Sequence, residues 1–258
     1  MTFSRLLLHG VKAGAAAGVA AALVMWLAVE PAIRRALVVE EARAGGHHHG
    51  EEPLVSRAAQ VGVGLLTSAL AGVMVGVLFA VVFAKARHRL PGGYDAPRAW
   101  ALAAGGFVTC TLLPAVTVPA NPPAVGDPAT VTERSLLYLL TILLGLLAAG
   151  ATAWLHTVLR DRGMGDPART ALTVAGGVAL LVGVMLVVPP TPDTVPADVP
   201  AALLWDFRVA SLAQLGAMWL VLGLVFGVLT GRRPAGQAAP VDGAGPARGA
   251  DAADQVPV

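Results

Sequence analysis

The apolar residues of this chain lie in long blocks rather than in short periodic stretches. The blocks cover residues 11–29, 58–83, 100–118, 135–158, 170–188 and 209–229, and Lys12 is the one Asp, Glu, Lys or Arg that they contain. Each block approaches the roughly 20 residues that a helix needs to cross about 30 Å of hydrocarbon. The pattern predicts an all-α integral membrane protein with about six transmembrane helices.

The first block has a second interpretation. Arg5 and Lys12, followed by an apolar run, are similar to the charged and hydrophobic regions of a secretory signal peptide. The run is long for that role, and Glu30-Pro31 follows it in place of a small-residue cleavage site. We expect a retained first span, with a cleaved signal peptide as the alternative.

Lysine and arginine are distributed unequally between the loops on the two sides. The side that holds both termini carries twelve of them, and the other side carries six: Arg34, Arg35, Arg43, Arg57, Arg134 and Arg208. Because cytoplasmic loops are enriched in Lys and Arg, we expect both termini to be cytoplasmic. The predicted location is the plasma (inner) membrane, with several passes.

The six spans form three predicted hairpins with similar residues at their boundaries. In each hairpin the first helix is expected to end at a proline, and the second begins with an arginine: Pro31 and Arg57, Pro114 and Arg134, Pro189 and Arg208. Such recurrence suggests parallel repeats of the kind known in transporters, although prolines and arginines are also common beside loops. Residues 1–230 would form the transmembrane domain, and residues 231–258, rich in Ala, Gly and Pro, a disordered cytoplasmic tail.

Composition excludes several functional classes. Apolar residues make up 56% of the chain and charged residues 13%, and the mean hydropathy is +0.70. A net charge of +2 that follows the loop pattern gives no reason to expect nucleic-acid binding. Motifs for ATP binding, zinc hydrolysis and serine hydrolysis are absent, and the spans carry few acid or base groups, so we do not expect an enzyme. Cys110 is the one cysteine, so there is no disulfide framework.

The first loop, residues 30–57, contains three consecutive histidines, His47, His48 and His49, followed by Glu51 and Glu52. Imidazole nitrogen suits divalent cobalt, nickel, copper and zinc, and carboxylates can complete the coordination shell. Glycines on both sides permit the bending that adjacent histidines need to reach one ion. The tract predicts a shallow site for metal capture; the alternative is a solvated loop with incidental histidines.

Polar residues near the predicted span ends are candidates for an ion pathway. Ionisable groups are costly in a bilayer and often mark such a pathway, although groups at the interface can also be ordinary boundary charges. A glutamine inside a span can contact substrate or cross-link helices. If the hairpins repeat, the three acids of this set meet at the outer mouth and pass the ion inward. The candidates are Glu30, Glu133, Asp206, Arg208 and Gln214.

Five groups of residues along the chain form a recognisable series: residues 5–8, Val29-Glu30-Pro31, His47–Glu51, Leu113-Pro114 with Pro119, Pro122, Pro123 and Gly126, and Phe207–Gln214 continuing through Trp219 to Gly227. They cover the start of the chain, the histidine tract, a proline-rich second loop and the last helix. In this order they resemble the CbtA family of cobalt transporter subunits, and the similarity extends to about Leu229.

The resemblance implies a membrane component of a cobalt uptake system linked to cobalamin supply. It implies Co²⁺ as cargo, no resident cofactor, and a small CbtB-type membrane subunit as partner. Because six helices with few polar groups offer little material for a pathway, a homo-oligomer is a further expectation. The alternative function is a non-transporting membrane scaffold or metal sensor that uses the first loop as a detector.

Overall fold

The computed structural model describes residues 1–43, 56–123 and 125–231. Five predicted metal ligands, His47, His48, His49, Glu51 and Glu52, lie outside the described residues, as does the predicted tail from residue 232 onward. Their roles therefore stay predictions.

The regular structure of the described ranges is entirely helical, and six of its helices are long and apolar enough to cross a membrane. The prediction of an all-α, six-span membrane protein is confirmed. The elements are α1 (Phe3–Val24), a π-helical segment (Met25–Val29), α2 (Glu30–Arg43), α3 (Arg57–Ala86), α4 (Asp95–Phe107), a second π-helical segment (Val108–Leu112), α5 (Leu113–Thr117), a 3-10 turn (Pro128–Thr130), α6 (Val131–Asp161), α7 (Asp166–Val187) and α8 (Ala201–Thr230).

The expectation that the first helix ends at Pro31 is wrong. The helix continues to Arg43, and a π-helical segment, Met25–Val29, precedes the proline. Proline lacks an N–H and its ring crowds the carbonyl four residues back. A π turn relieves this conflict because its hydrogen bonds span five residues, as in the bond from the Glu30 N–H to the Met25 carbonyl.

A π-helical segment also precedes Pro114. The π-helical segment Val108–Leu112 ends with a bond from the Leu113 N–H to the Val108 carbonyl, and the helix continues to Thr117. In both helices the proline follows the π segment by two residues. Only α7 ends at its proline as expected, since its last residue is Val187 and Pro189 lies in the following loop.

The first two spans pack through glycine. A Cβ atom on Gly18 would lie 2.5 Å from the Ala69 carbonyl oxygen and 2.8 Å from its Cα. Gly10 and Gly14 lie equally close to the backbone of Gly76 and Gly72. Because lipid provides no hydrophobic force between helices, such close backbone approach is how they associate. The glycines of α1 and α3 that recur every four residues therefore serve helix packing.

The helices bury two separate apolar cores. The larger core lies between α1, α3, α4 and α8 and includes Phe79, Phe83, Leu222 and Phe226. The smaller core joins Val118, after α5, to residues of α6 and of the end of α7: Leu137 and Val188 are buried, and Leu144 and Val184 pack against them. We call the first group of helices the large unit and the pair α6 and α7 the small unit.

Neighbours in sequence are not always neighbours in space. In the described ranges α1 packs on α3, as the first predicted hairpin requires. However, α7 packs mainly on α6, and α8 packs on α1 and α4, so the last two spans have no extensive contact. The three-hairpin repeat and the cytoplasmic termini stay predictions.

Candidate ion-capture site

One end of the bundle, which we call the long-loop end, carries α2, residues 118–130 and residues 188–200. All six arginines predicted for this side have polar partners. Five form ion pairs with acids of the same end, and the sixth, Arg208, donates to Asn121 and to the Ala120 carbonyl. Local pairing explains how this side accommodates so many arginines.

Glu30 is the most buried acid of the first span. Its side chain is 5% exposed, and two guanidinium groups hold it. The Nη2 of Arg57 lies 2.6 Å from Oε2 and its Nε lies 3.2 Å from Oε1, while the Nε of Arg34 lies 3.0 Å from Oε1. Because the π segment ends at the residue before it, Glu30 is also where the helical hydrogen-bonding pattern changes.

Two arginine contacts fix the chain on either side of the histidine tract. Arg57 begins α3 and binds Glu30, and the Ser56 hydroxyl caps α3 by accepting from the Ala59 N–H. Arg43 ends α2 and donates to both carboxylate oxygens of Asp198, at 2.9 and 3.0 Å. Residues 44–55, which carry the predicted metal ligands, thus connect two anchored positions.

The other predicted pathway residues occupy separate places. Asp206, on α8, pairs with Arg35 at 3.0 Å, and both side chains are about half exposed. Glu133 lies exposed on α6 beside a row of leucines. Gln214 is half-buried on α8. Within residues 1–43, 56–123 and 125–231, no three His, Cys, Asp or Glu side chains lie close enough to hold a metal ion, so Glu30, Glu133 and Asp206 do not form one ion site here.

Arg208 belongs to a network that the sequence reasoning missed. The network centres on Asp193, whose side chain is 2% exposed. One carboxylate oxygen accepts from the Thr130 hydroxyl at 2.7 Å, and the other accepts from Arg134 Nη1 at 2.8 Å and from Asn121 Nδ2 at 3.0 Å. Arg208 then donates to the Asn121 oxygen at 3.0 Å.

The electrostatics of the network favour an ionised Asp193. Burial on its own would raise the pKa of Asp193, but the Thr130 and Asn121 hydrogen bonds and the positive charge of Arg134 outweigh it, so the pKa is lowered. A signal for this site existed in the sequence. Residues 189–200 contain two aspartates and no Lys or Arg, so their charges need partners from another segment.

Comparison with protein families matches residues 3–231 to the family described as "probable cobalt transporter subunit (CbtA)". No curated protein and no solved structure shows a significant match. The match covers all six candidate membrane spans, from Phe3 to Thr230. This chain therefore belongs to the CbtA family and is a multi-pass membrane protein of a family described as transporter subunits.

Proposed function

We propose that this chain is the membrane subunit of a cobalt uptake transporter and that its histidine loop captures the ion on the extracytoplasmic side. The observation that supports this most is the family match over residues 3–231. The family is described as a cobalt transporter subunit, so Co²⁺ is the expected cargo and not a resident cofactor. The location would be the inner membrane, with both termini in the cytoplasm.

Capture would use the imidazoles of His47, His48 and His49 with the carboxylate of Glu51 or Glu52. Nitrogen and oxygen donors of this kind suit Co²⁺, but they bind copper more tightly, so availability or geometry must select the metal. The ion pairs of Arg43 with Asp198 and of Arg57 with Glu30 support this role, because they hold both ends of the loop at the long-loop end of the bundle.

Handover would begin at Glu30. A divalent cation that approaches this carboxylate competes with the guanidinium of Arg57, which is 38% exposed and therefore has water on one side to move into. Asp206, held by the exposed Arg35, provides a second acid at the same end, and Glu133, Arg208 and Gln214 are the further predicted pathway residues. In the resting state arginine side chains pair with these carboxylates, and the arriving cation replaces the arginines as the partner of each carboxylate.

The description of the family as a subunit supports a partner chain. We propose a small CbtB-type membrane subunit as this partner, and a homo-oligomer as a second assembly that would complete the pathway. We propose no enzymatic role, because the family is described as transporter subunits.

The test is cobalt-57 accumulation in cells that lack their own cobalt uptake, with this chain and the small partner expressed together. We expect accumulation, and we expect it to fall when His47, His48 and His49 are all replaced by alanine. The control is His88→Ala, a histidine beyond α3 at the opposite end of the bundle from the long loops. Unchanged accumulation in the triple variant would remove the loop from the path. Loop-dependent cobalt binding without accumulation would support the sensor or scaffold instead.

A further inference from the structure

The long-loop ends of the large and small units are joined by the polar network around Asp193. Four segments converge there: residues 120–121 after α5, Thr130 and Arg134 at the start of α6, Asp193 in the loop after α7, and Arg208 of α8. Arg208 belongs to the large unit and Arg134 to the small one. Asp193 and Asn121 connect them through an unbroken chain of hydrogen bonds.

The network closes tightly around its central acid. Gly126 has a φ of 113°, a conformation that favours glycine, and a Cβ there would lie 3.1 Å from Nη1 of Arg134 and 3.5 Å from Oδ2 of Asp193. The backbone of the second loop at Gly126 therefore packs directly against the ion pair of Arg134 and Asp193. Because hydrogen bonds to a buried charge are expensive to leave unmade, the network has a well-defined closed state.

Beneath the network, the junction between the two units is thin. Val118, Leu137 and Val188 form the small apolar core. Next along α6, the Thr117 hydroxyl donates to the Thr141 hydroxyl at 3.3 Å. One turn further, Gly145 lies against the Thr109 carbonyl and Leu113, so that α6 meets the π segment of the third span.

Cys110 lies in that π segment and is partly buried, and its Sγ lies 3.5 Å from the hydroxyl oxygen of Thr109, the residue whose backbone faces Gly145 of α6. It is the single cysteine of the chain. A π segment followed by a proline weakens the regular helical hydrogen bonding at the point where the two units touch. The junction between the two units thus consists of the Asp193 network at the long-loop end, the small apolar core beneath it, and the π-helical segment of the third span.

From this arrangement we propose that the Asp193 network is a latch, which holds the two units together at the long-loop end and must open for the junction beneath it to become accessible to water. Only the biological role of this latch rests on the proposed transport function. The latch itself is a property of the fold, and it can be tested without cobalt.

The experiment measures how fast a membrane-impermeant maleimide, added from the long-loop side of intact cells or oriented vesicles, modifies Cys110 in the full-length protein. The variant is Asp193→Asn, which removes the charge that three donors share. The matched control is Asp198→Asn, in the same loop, whose carboxylate is 53% exposed and pairs with Arg43. Both variants lose one negative charge from one loop.

We expect Asp193→Asn to accelerate modification about tenfold, which corresponds to about 1.4 kcal/mol in the opening equilibrium. Asp198→Asn should leave the rate unchanged. If Asp193→Asn does not reach the membrane as a folded protein, Thr130→Ala, which removes one of the three hydrogen bonds and keeps the ion pair, decides, with an expected increase of about two- to threefold.

Equal rates in wild type and in the folded Asp193 or Thr130 variant would overturn the latch, and so would equal acceleration by the Asp198 control. Cobalt-57 accumulation, measured separately, tells the two proposals apart. A latch effect on labelling without any accumulation in wild type would leave the latch standing and remove the transport function. Accumulation without a labelling effect would do the opposite.

Discussion

Replacing Glu30 with glutamine tests how much the ion pairs of this buried carboxylate contribute to the free energy of unfolding. The carboxylate is 5% exposed and makes three hydrogen bonds to Arg34 and Arg57. Removing one partner of a fully buried pair costs about 3–5 kcal/mol. The two arginines are 65% and 38% exposed, so water can solvate them in the variant, and we expect a loss of about 1–3 kcal/mol in the free energy of unfolding.

The assay is thermal unfolding of the purified protein in detergent, compared with Asp206→Asn. Asp206 is 47% exposed and its partner Arg35 is 55% exposed, and such pairs contribute about 0–1 kcal/mol. For a chain of this size 1 kcal/mol shifts the midpoint by about 2–4 °C, so Glu30→Gln should melt several degrees lower and Asp206→Asn close to wild type. Equal midpoints for both variants would refute the reasoning from burial.

Three further outcomes follow from the described contacts. The pKa of Asp193 is lowered in the folded protein, so its ionised carboxylate adds stability, measured as the difference in unfolding midpoint between wild type and Asp193→Asn. This difference should be full above the unfolded pKa near 3.8 and should disappear as the pH falls through the lowered folded pKa. A difference that grows on acidification would contradict the lowered pKa. Gly18→Ala should cost about 1–3 kcal/mol in the free energy of unfolding, whereas Gly62→Ala, which meets no atom within 4 Å, should cost nothing; equal losses would contradict the close approach of α1 and α3. Asp198→Asn should lower the free energy of unfolding by no more than an exposed ion pair contributes, about 1 kcal/mol, and a larger loss would mean that Arg43 anchors more than the end of α2.

Membrane spans could be predicted because they depend on a coarse property, the length of uncharged apolar sequence. Helix ends could not, since a proline terminates a helix only if its neighbours do not rearrange. Before Pro31 and Pro114 the helix changes to π-type hydrogen bonds and continues past the proline, whereas α7 ends before Pro189. The two π segments pack against α8 and α6, and residue types alone do not reveal such contacts.

The acids of the long-loop end show the same limit. Glu30 and Asp206 stood out because they flank the spans, and the structure finds both of them held by arginines. Asp193 was missed because its partners, Asn121 and Arg134, are 72 and 59 residues away in sequence. Sequence analysis can identify a charge that needs a partner, but long-range packing decides which partner it finds.

The central proposal, that this chain transports cobalt across a membrane, is tested most directly with purified protein in sealed vesicles. Cobalt-57 would be added outside, and the isotope inside the vesicles would be separated from isotope bound to protein by a brief wash with an impermeant chelator. Vesicles that contain this chain and the proposed small membrane subunit should accumulate chelator-resistant cobalt above protein-free vesicles, and they should accumulate less of it when the three histidines are replaced. Cobalt that binds to the protein but is wholly removed by the chelator would contradict transport.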